Sequence, residues 1–161
     1  MNTALVDVLL ATYNGSKYLA SQLDSILNQT HQNFRILVSD DGSSDATVAI
    51  LRQYSARLGD RLVLVPNPSP GKGVIRNFEN LMVVSLHDGL ARWSVFSDQD
   101  DVWLPEKIAS LLAEMLRIEG EEGGQIPCLV HSDLTVVDER LEVISCSFAQ
   151  YQQMNPAACS P

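Results

Sequence analysis

Residues 1–120 alternate short apolar runs with segments of helical periodicity, and this alternation constrains the fold more than any other feature of the sequence. The pattern is typical of βαβ units, in which a helix connects two parallel strands. Four apolar runs are predicted to be strands, at residues 5–11, 34–39, 62–65 and 93–96. The sequence therefore predicts an α/β fold with a mainly parallel central sheet.

The segments between these strands repeat apolar residues at the three- and four-residue spacing of a helix that packs on a sheet. The clearest segment begins at Pro105, a residue favoured at the first helical position, and Glu106, whose charge suits a helix N-terminus. The predicted stripes are Leu19-Leu23-Ile26-Leu27, Val48-Leu51-Ser55-Leu58, Ile75-Phe78-Met82 and Ile108-Leu111-Leu112-Met115-Leu116. Four helices are therefore expected beside the sheet.

The pattern changes after a charged and glycine-rich stretch at residues 119–124. Three further strands are predicted, at residues 129–132, 135–137 and 143–148. The chain then ends in a polar, proline-bearing segment that offers no core element. We expect one domain at residues 1–150 and a tail at residues 151–161 that marks a truncation point, so that the C-terminal part of the fold is incomplete.

Composition disfavours several classes of partner. The chain has 161 residues and a formal net charge of -9 at pH 7, from 20 acidic and 11 basic side chains. Nucleic acid is disfavoured as a ligand, because neutralising phosphates requires clustered lysine or arginine. No apolar run approaches the roughly 20 residues of a membrane span, and the N-terminus lacks the pattern of a signal peptide. These features predict a cytoplasmic location.

An acidic run follows the fourth predicted strand and gathers the carboxylates of Asp98, Asp100 and Asp101. In an extended segment residues two apart share a face, so Asp98 and Asp100 could reach one divalent cation while Asp101 points elsewhere. Oxygen ligands favour Mg²⁺ or Mn²⁺, and a cation held by one or two carboxylates keeps positions open for substrate phosphates. On spacing alone, a solvated acidic turn before a helix explains the run equally well.

Polar residues also follow the first two predicted strands, at residues 12–15 and 40–45. Ligands of open α/β sheets bind outside the carboxyl ends of the strands, where all three polar segments should meet. Asp41 could accept a hydrogen bond from a base or sugar, although a turn with a helix cap is an equal alternative for this residue. Arg76 and Lys72 are the nearest cations that could face a diphosphate, or they could simply be exposed at a helix N-terminus.

Three motifs in this order resemble those of inverting glycosyltransferase family 2, which has the GT-A fold. They are VDVLLATYNG at residues 6–15, LVSDDGSSD at residues 37–45 and FSDQDDVWLPEK at residues 96–107. Residues 97–103, with HSDL at residues 131–134, are most similar to bacterial rhamnosyltransferases that build surface polysaccharide. The resemblance implies a GT-A-like three-layer sandwich with a mainly parallel central sheet.

The resemblance also implies roles for individual residues. The nucleotide-binding positions of the family match Ala11, Thr12, Tyr13, Asp41, Arg76 and Asp98, and its metal ligand matches Asp100. Asn77, next to Arg76, falls in the stretch of the family that approaches the donor. The cofactor would be Mg²⁺ or Mn²⁺. The donor would be a dTDP-sugar or UDP-sugar, with rhamnose as the favoured sugar. The acceptor would be a glycan or a lipid-linked glycan at the inner face of the cell membrane, with peripheral membrane association through parts outside this chain.

The general base is not identified by the resemblance, because family members supply it from a carboxylate well beyond the region present here. Asp133 has motif context, but a structural turn residue is the better interpretation. A truncated, non-catalytic nucleotide-sugar-binding module is therefore the alternative to an active glycosyltransferase. A phosphotransfer receiver domain also clusters acidic residues at strand ends, but the Asp-x-Asp-Asp-x-Trp run weighs against it.

Overall fold

The structure is a computed structural model that describes residues 4–123 and 126–153. The chain divides into two compact units, Met1–Leu112 and Ala113–Pro161. Most of the tail expected at residues 151–161 lies outside the described residues. The expected single domain at residues 1–150 stays a prediction.

A four-stranded parallel sheet forms the centre of the first unit. Its strands are β1 (Val6–Thr12), β2 (Phe34–Asp40), β3 (Leu62–Leu64) and β4 (Trp93–Ser97). They lie in the order β3-β2-β1-β4, and each neighbouring pair is parallel. All four strands predicted for this region are confirmed, with ends that differ by one residue at most. The alternation of apolar runs and helical segments was sufficient to predict this sheet.

Helices cover both faces of the sheet, so the unit has three layers. The helices are α1 (Leu19–Leu27), α2 (Thr47–Leu58), α3 (Val74–Asp88) and the start of α4 (Lys107–Glu122). Leu81 of α3 packs with Leu9 and Leu37 on one face. Gln22 of α1 donates a hydrogen bond to Ser97 on the other face. Ser97 pairs in register with Leu10, and the side chain of Leu10 lies on the opposite face of the sheet from that of Leu9.

Burial on both faces explains why β1 has a nearly continuous apolar sequence. All seven of its residues are buried, including the charged Asp7. The Asp7 carboxylate accepts two hydrogen bonds from the Arg35 side chain of β2, at 2.8 and 2.7 Å, and one from the Ser85 hydroxyl of α3 at 2.6 Å. These contacts hold the C-terminal half of α3 against the amino end of the sheet.

The face of α3 that packs on the sheet matches the predicted stripe only in part. Ile75 and Met82 were expected to face the core, but Ile75 is 80% exposed and Met82 is 38% exposed. The buried residues of α3 are Asn77, Leu81 and Ser85. Phe78, the middle residue of the predicted stripe, does pack against the core. Polar side chains occupy two of the three buried positions because they bind strand groups, so apolar periodicity alone did not indicate them.

The second unit contains β5 (Val136–Val137), β6 (Val143–Ser145) and α5 (Phe148–Tyr151). The two strands pair in antiparallel fashion. The turn between them is held by Asp138, whose side chain accepts hydrogen bonds from the backbone N–H groups of Arg140 and Glu142. The predicted strand at residues 135–137 is therefore confirmed, one residue shorter.

Two other predictions for this region are wrong. Residues 129–132 do not form a strand, because no described segment pairs with them to form a hydrogen-bonded ladder. The strand predicted to reach residue 148 ends at Ser145, because Ser147 caps α5 by accepting a hydrogen bond from the Gln150 N–H. In the part of the chain that the structure describes, no helix combines the length and apolar character that crossing a bilayer requires.

Candidate functional site

A cavity of about 400 Å³ lies where β1, β2 and β4 end. Six of the seven residues that the resemblance matches to nucleotide or metal binding line it, and these are Ala11, Thr12, Tyr13, Asp41, Asp98 and Asp100. The cavity is thus at the carboxyl ends of parallel strands, the place where open α/β sheets bind their ligands. Asp41 and Asp100, which are distant in sequence, border the same space.

The aspartates in the turn after β2 make different contacts. Asp40 makes the turn, because its carboxylate accepts hydrogen bonds from the backbone N–H groups of Gly42 and Ser43 at 3.1 and 2.8 Å. Asp45 accepts the N–H of Thr47 at the start of α2, and hydrogen bonds, first of all from Thr47, hold the pKa of Asp45 well below its usual range. The turn and cap functions therefore fall on residues other than Asp41.

Asp41 is buried and binds the loop that precedes α3. Its carboxylate accepts hydrogen bonds from the backbone N–H groups of Gly71 at 2.8 Å, Lys72 at 3.3 Å and Gly73 at 2.8 Å. Gly71 and Gly73 have φ angles of 78° and 89°, a left-handed conformation that favours glycine and turns successive N–H groups toward one anion. The loop lacked a recognisable phosphate-binding spacing in the sequence, and in the structure it encloses a carboxylate.

Asn77 is a cavity residue that the helical stripe of α3 did not indicate. Its side chain is buried and donates a hydrogen bond of 2.7 Å to the Ser39 carbonyl at the end of β2. The neighbouring residue Arg76 does not line the cavity, and its guanidinium forms an ion pair with Glu79 on the exposed side of the helix. A rotation of about 100° per residue separates these two positions on α3. The predicted role of Arg76 therefore stays a prediction.

The acidic run leaves β4 at Ser97 and bends at Gln99 and Asp100 instead of continuing as a strand. Asp98 and Asp100 nevertheless both line the cavity, and Asp101 does not. Burial, followed by the charges of Asp101 and Asp100, raises the pKa of the Asp98 carboxyl. The cavity wall therefore concentrates negative charge where water is partly excluded, an arrangement that a bound cation would stabilise.

Buried polar side chains of α1 and the residue Gln29 beyond it hold both ends of the acidic run. The contacts are Gln22 Nε2 to Ser97 Oγ (2.6 Å), Trp103 N to Ser25 Oγ (3.0 Å), Gln29 Nε2 to Leu104 O (2.8 Å) and Ile108 N to Gln29 Oε1 (3.0 Å). These side chains face the interior because the loop they bind has backbone groups that need buried partners. Sequence periodicity gave no indication of them.

The donor set fits a divalent cation only in part. In residues 4–123 and 126–153, no group of three or more His, Cys, Asp or Glu side chains is placed to hold a metal ion. The Asp98 and Asp100 carboxylates at the cavity wall would offer oxygen ligands, which suit Mg²⁺ or Mn²⁺. Such a cation would need water or substrate phosphates to complete its shell. The residues present therefore fit a metal that binds together with a diphosphate.

The chain is similar in sequence to known glycosyltransferases. The UDP-Glc:alpha-D-GlcNAc-diphosphoundecaprenol beta-1,3-glucosyltransferase WfgD of Escherichia coli is 30% identical over 118 residues, which are 73% of this chain and 43% of that protein. The dTDP-rhamnosyl transferase RfbG of Shigella flexneri is 33% identical over 104 residues, 64% of this chain and 35% of that protein. The chain spans less than half the length of these curated relatives.

Solved structures confirm the fold. The mannosyltransferase PcManGT from Pyrobaculum calidifontis, in complex with GDP-Man and Mn²⁺, superposes with a TM-score of 0.55 and 22% identity over 66% of this chain and 31% of that chain. The parallel four-stranded sheet matches GT-A glycosyltransferase structures of this kind. A family model described as Glycosyl transferase family 2 matches residues 7–120. Because that match covers most of the sequence, the chain belongs to glycosyl transferase family 2.

Proposed function

We propose that this chain supplies the donor-binding part of an inverting, metal-dependent glycosyltransferase whose donor is a dTDP-sugar or a UDP-sugar. One observation carries the proposal, the convergence of Asp41, Asp98 and Asp100 on a single cavity at the carboxyl ends of parallel strands. Membership in glycosyl transferase family 2 supports sugar transfer as the reaction class.

Asp41 is the proposed partner of the nucleobase, beside Ala11, Thr12 and Tyr13. Among the described contacts, its Oδ2 atom accepts one hydrogen bond, from Gly73. A carboxylate oxygen has two acceptor positions, so Oδ2 can also accept the N3–H of uracil or thymine. Cytosine has a lone pair at N3 in place of an N–H group, so its N3 atom and Asp41 Oδ2 would both be acceptors and could not form a hydrogen bond. Asp41 therefore favours UDP or dTDP over CDP.

Asp98 and Asp100 are the proposed contacts at the diphosphate end, with Asp100 as the ligand of Mg²⁺ or Mn²⁺. When bound there, such a cation would supply positive charge that offsets the charge of the departing nucleoside diphosphate. The acceptor oxygen forms its bond to C1 of the sugar while the bond from C1 to the diphosphate breaks, and a general base takes the hydroxyl proton. Arg76 would join this end of the site by exchanging Glu79 for a phosphate oxygen. Binding of Mn²⁺ and GDP-Man by the mannosyltransferase PcManGT supports this arrangement.

Rhamnose is the proposed sugar, supported by the identity to the dTDP-rhamnosyl transferase RfbG. A lipid-linked glycan is the proposed acceptor, supported by the diphosphoundecaprenol substrate in the name of WfgD. The acceptor site and any peripheral contact with the inner face of the membrane would lie in parts of a longer protein.

A non-catalytic nucleotide-sugar-binding module is the second candidate, and the state of Asp133 favours it for the chain alone. The Asp133 carboxylate accepts hydrogen bonds from the backbone N–H groups of Leu134 and Ala149. Hydrogen bonding, first of all from the Ser147 hydroxyl, lowers the pKa of Asp133. A carboxylate held in this way is a poor general base. It acts as a structural turn residue, so the base must come from elsewhere.

Calorimetric titration of the 161-residue chain with UDP, dTDP and CDP, each with Mn²⁺ and with EDTA, tests the proposal. We expect UDP or dTDP to bind with Mn²⁺, more weakly with EDTA, and CDP to bind at least tenfold more weakly. Equal binding of all three nucleotides would rule out base recognition by Asp41. Release of free sugar from a dTDP- or UDP-sugar would distinguish an active enzyme from a binding module.

A further inference from the structure

Gln99, the residue between Asp98 and Asp100, makes a paired hydrogen bond with the backbone of Tyr13. The Tyr13 N–H donates to Gln99 Oε1, and Gln99 Nε2 donates to the Tyr13 carbonyl, both at 2.8 Å. The backbone fixes the orientation of the amide, because the N–H group can only donate and the carbonyl can only accept. The last register pair of β1 and β4 is Leu10 with Ser97. The Gln99 side chain thus continues the contact between these two chain segments beyond the end of the ladder.

Gly15 provides the space for this amide. A Cβ atom at Gly15 would lie 2.2 Å from Gln99 Oε1 and 2.4 Å from Gln99 Cδ. The φ angle of Gly15 is outside the left-handed region, so an alanine is compatible with the backbone there. Its N–H donates to Thr47 Oγ1 at 2.8 Å, which holds the backbone in place. Glycine is therefore needed at this position for the Gln99 side chain and not for the turn itself.

The paired hydrogen bond links the two ends of the cavity. Tyr13 borders the part of the cavity assigned to the base, and Asp98 and Asp100 border the part assigned to the diphosphate. The buried contacts of Gln22 and Ser25 hold the acidic run only at its ends, at Ser97 and Trp103. Gln99 holds its middle. Without this bond the two carboxylates would be free to move relative to the base site.

We infer that Gln99 is a positioning residue. It holds Asp98 and Asp100 at a set distance from the Tyr13 segment, so that one donor can contact the two carboxylates and the base site at the same time. This inference rests on the proposed function. It assigns no contact with the donor to Gln99 itself. The inference requires that the side-chain amide of Gln99 both donate and accept a hydrogen bond, and that residue 15 lack a Cβ atom.

The test uses Gln99→Met, Gly15→Ala and the double variant, with Gln53→Met as the control. Methionine keeps the unbranched shape of glutamine and removes both hydrogen bonds, while alanine at position 15 displaces the Gln99 amide without changing Gln99. Gln53 lies exposed on α2, away from the cavity lining. The measurements are the dissociation constants of UDP and dTDP with Mn²⁺, the urea midpoint, and hydrogen exchange of the Tyr13 amide.

We expect each single variant to bind the nucleotide with Mn²⁺ at least tenfold more weakly, a loss comparable to that from changing residues that orient metal ligands. The Tyr13 amide should exchange faster in both. The double variant should bind the nucleotide no more weakly than the single variant with the lower affinity, because the two changes remove the same interaction. Gln53→Met should match the native chain in all three measurements.

Several results would overturn the inference. Native affinity in Gln99→Met, or losses that add in the double variant, would show that the paired bond does not position the carboxylates. Unchanged Tyr13 exchange in Gln99→Met would show that the bond is not made in solution. If the native chain binds neither UDP nor dTDP, the proposed function fails and the positioning role fails with it. If Gln99→Met does not fold, Gly15→Ala alone decides, since its expected losses are the same.

Discussion

The carboxylate of Asp41 accepts the backbone N–H of Gly73 at 2.8 Å, so the turn after β2 and the start of α3 are bound to each other at the edge of the cavity. The same carboxylate accepts the N–H groups of Gly71 and Lys72 through its other oxygen. Asp41 therefore shapes the loop at the edge of the cavity, and under the proposed function it would also accept a hydrogen bond from the base. In that proposal one residue links the local fold to recognition of the donor.

Asp41→Asn should reduce both stability and binding. The asparagine amide offers one oxygen where the carboxylate offers two, and its NH₂ group would face backbone donors. We expect the free energy of unfolding to fall by about 1–3 kcal/mol, the cost of leaving buried donors without partners. UDP binding should be lost. Urea denaturation and calorimetry measure the two effects, with the exposed Asp60→Asn as the control, for which a change within about 0.5 kcal/mol is expected. Native stability in Asp41→Asn would contradict the assigned contacts.

Binding of Mn²⁺ and UDP should be mutually dependent. Asp98 and Asp100 alone do not form a complete metal site, so the cation needs the diphosphate as a ligand. We expect UDP to raise the affinity for Mn²⁺ by a factor of about ten or more, and Mn²⁺ to raise the affinity for UDP by the same factor, as linkage requires. Asp100→Ala should abolish this coupling and leave the binding of UDP in EDTA unchanged. Calorimetry with each ligand in turn measures the factor, and equal coupling in native and variant chains would exclude Asp100 as the metal ligand.

The fold was predictable because its strands are short, apolar and regularly separated, which periodicity detects directly. The position of the cavity was predictable for a related reason, since parallel strands bring their carboxyl ends to one edge of the sheet. Asn77 on α3 was indicated by the family resemblance alone. Periodicity indicated neither Asn77 nor Ser85, because a polar residue that binds a strand backbone or a buried aspartate has no signature in an apolar stripe. Gln99 was passed over for the same reason. Its partner Tyr13 lies 86 residues earlier in the chain, and spacing does not encode a hydrogen bond over that distance.

Arg35→Met should cost far more stability than the loss of an exposed arginine. Asp7 is fully buried and receives two hydrogen bonds from Arg35, whose pKa is raised above its ordinary value by the hydrogen bond to Asp7. Removing Arg35 leaves a buried carboxylate without its charge partner, and we expect a loss of about 3 kcal/mol or more. Arg57→Met is the matched control, because Arg57 and Asp24 are exposed and 3.8 Å apart, and should cost about 1 kcal/mol at most.

The double variant Asp7→Leu/Arg35→Met distinguishes an unpaired charge from lost packing. It removes both charges, so we expect it to be more stable than Arg35→Met alone. Urea denaturation of the native chain, Arg35→Met, Arg57→Met and the double variant at one pH is sufficient. A double variant that is less stable than Arg35→Met would show that the unpaired carboxylate of Asp7 is not the source of the cost, which would contradict this account.

The stability of the chain should depend on pH through Asp101. Burial raises the pKa of Asp101, against the opposing charge of Lys107. The folded state therefore takes up this proton at a higher pH than the unfolded state, and the ionised carboxylate is a destabilising feature of the fold above its raised pKa. As the pH falls through that pKa toward the ordinary carboxyl range near about 4, this destabilisation disappears.

Asp101→Asn cannot ionise, so it isolates this effect from the other carboxylates. We expect it to melt at a higher temperature than the native chain at pH 7.5, with a difference that shrinks as the pH is lowered to about 4. Thermal unfolding between these pH values measures the difference, and Asp60→Asn should show no such trend. The opposite sign at pH 7.5 would mean that attraction to Lys107 outweighs burial, since Lys107 is itself partly buried and loses its partner in the variant. That result would assign the Asp101–Lys107 pair a stabilising role in holding the acidic run.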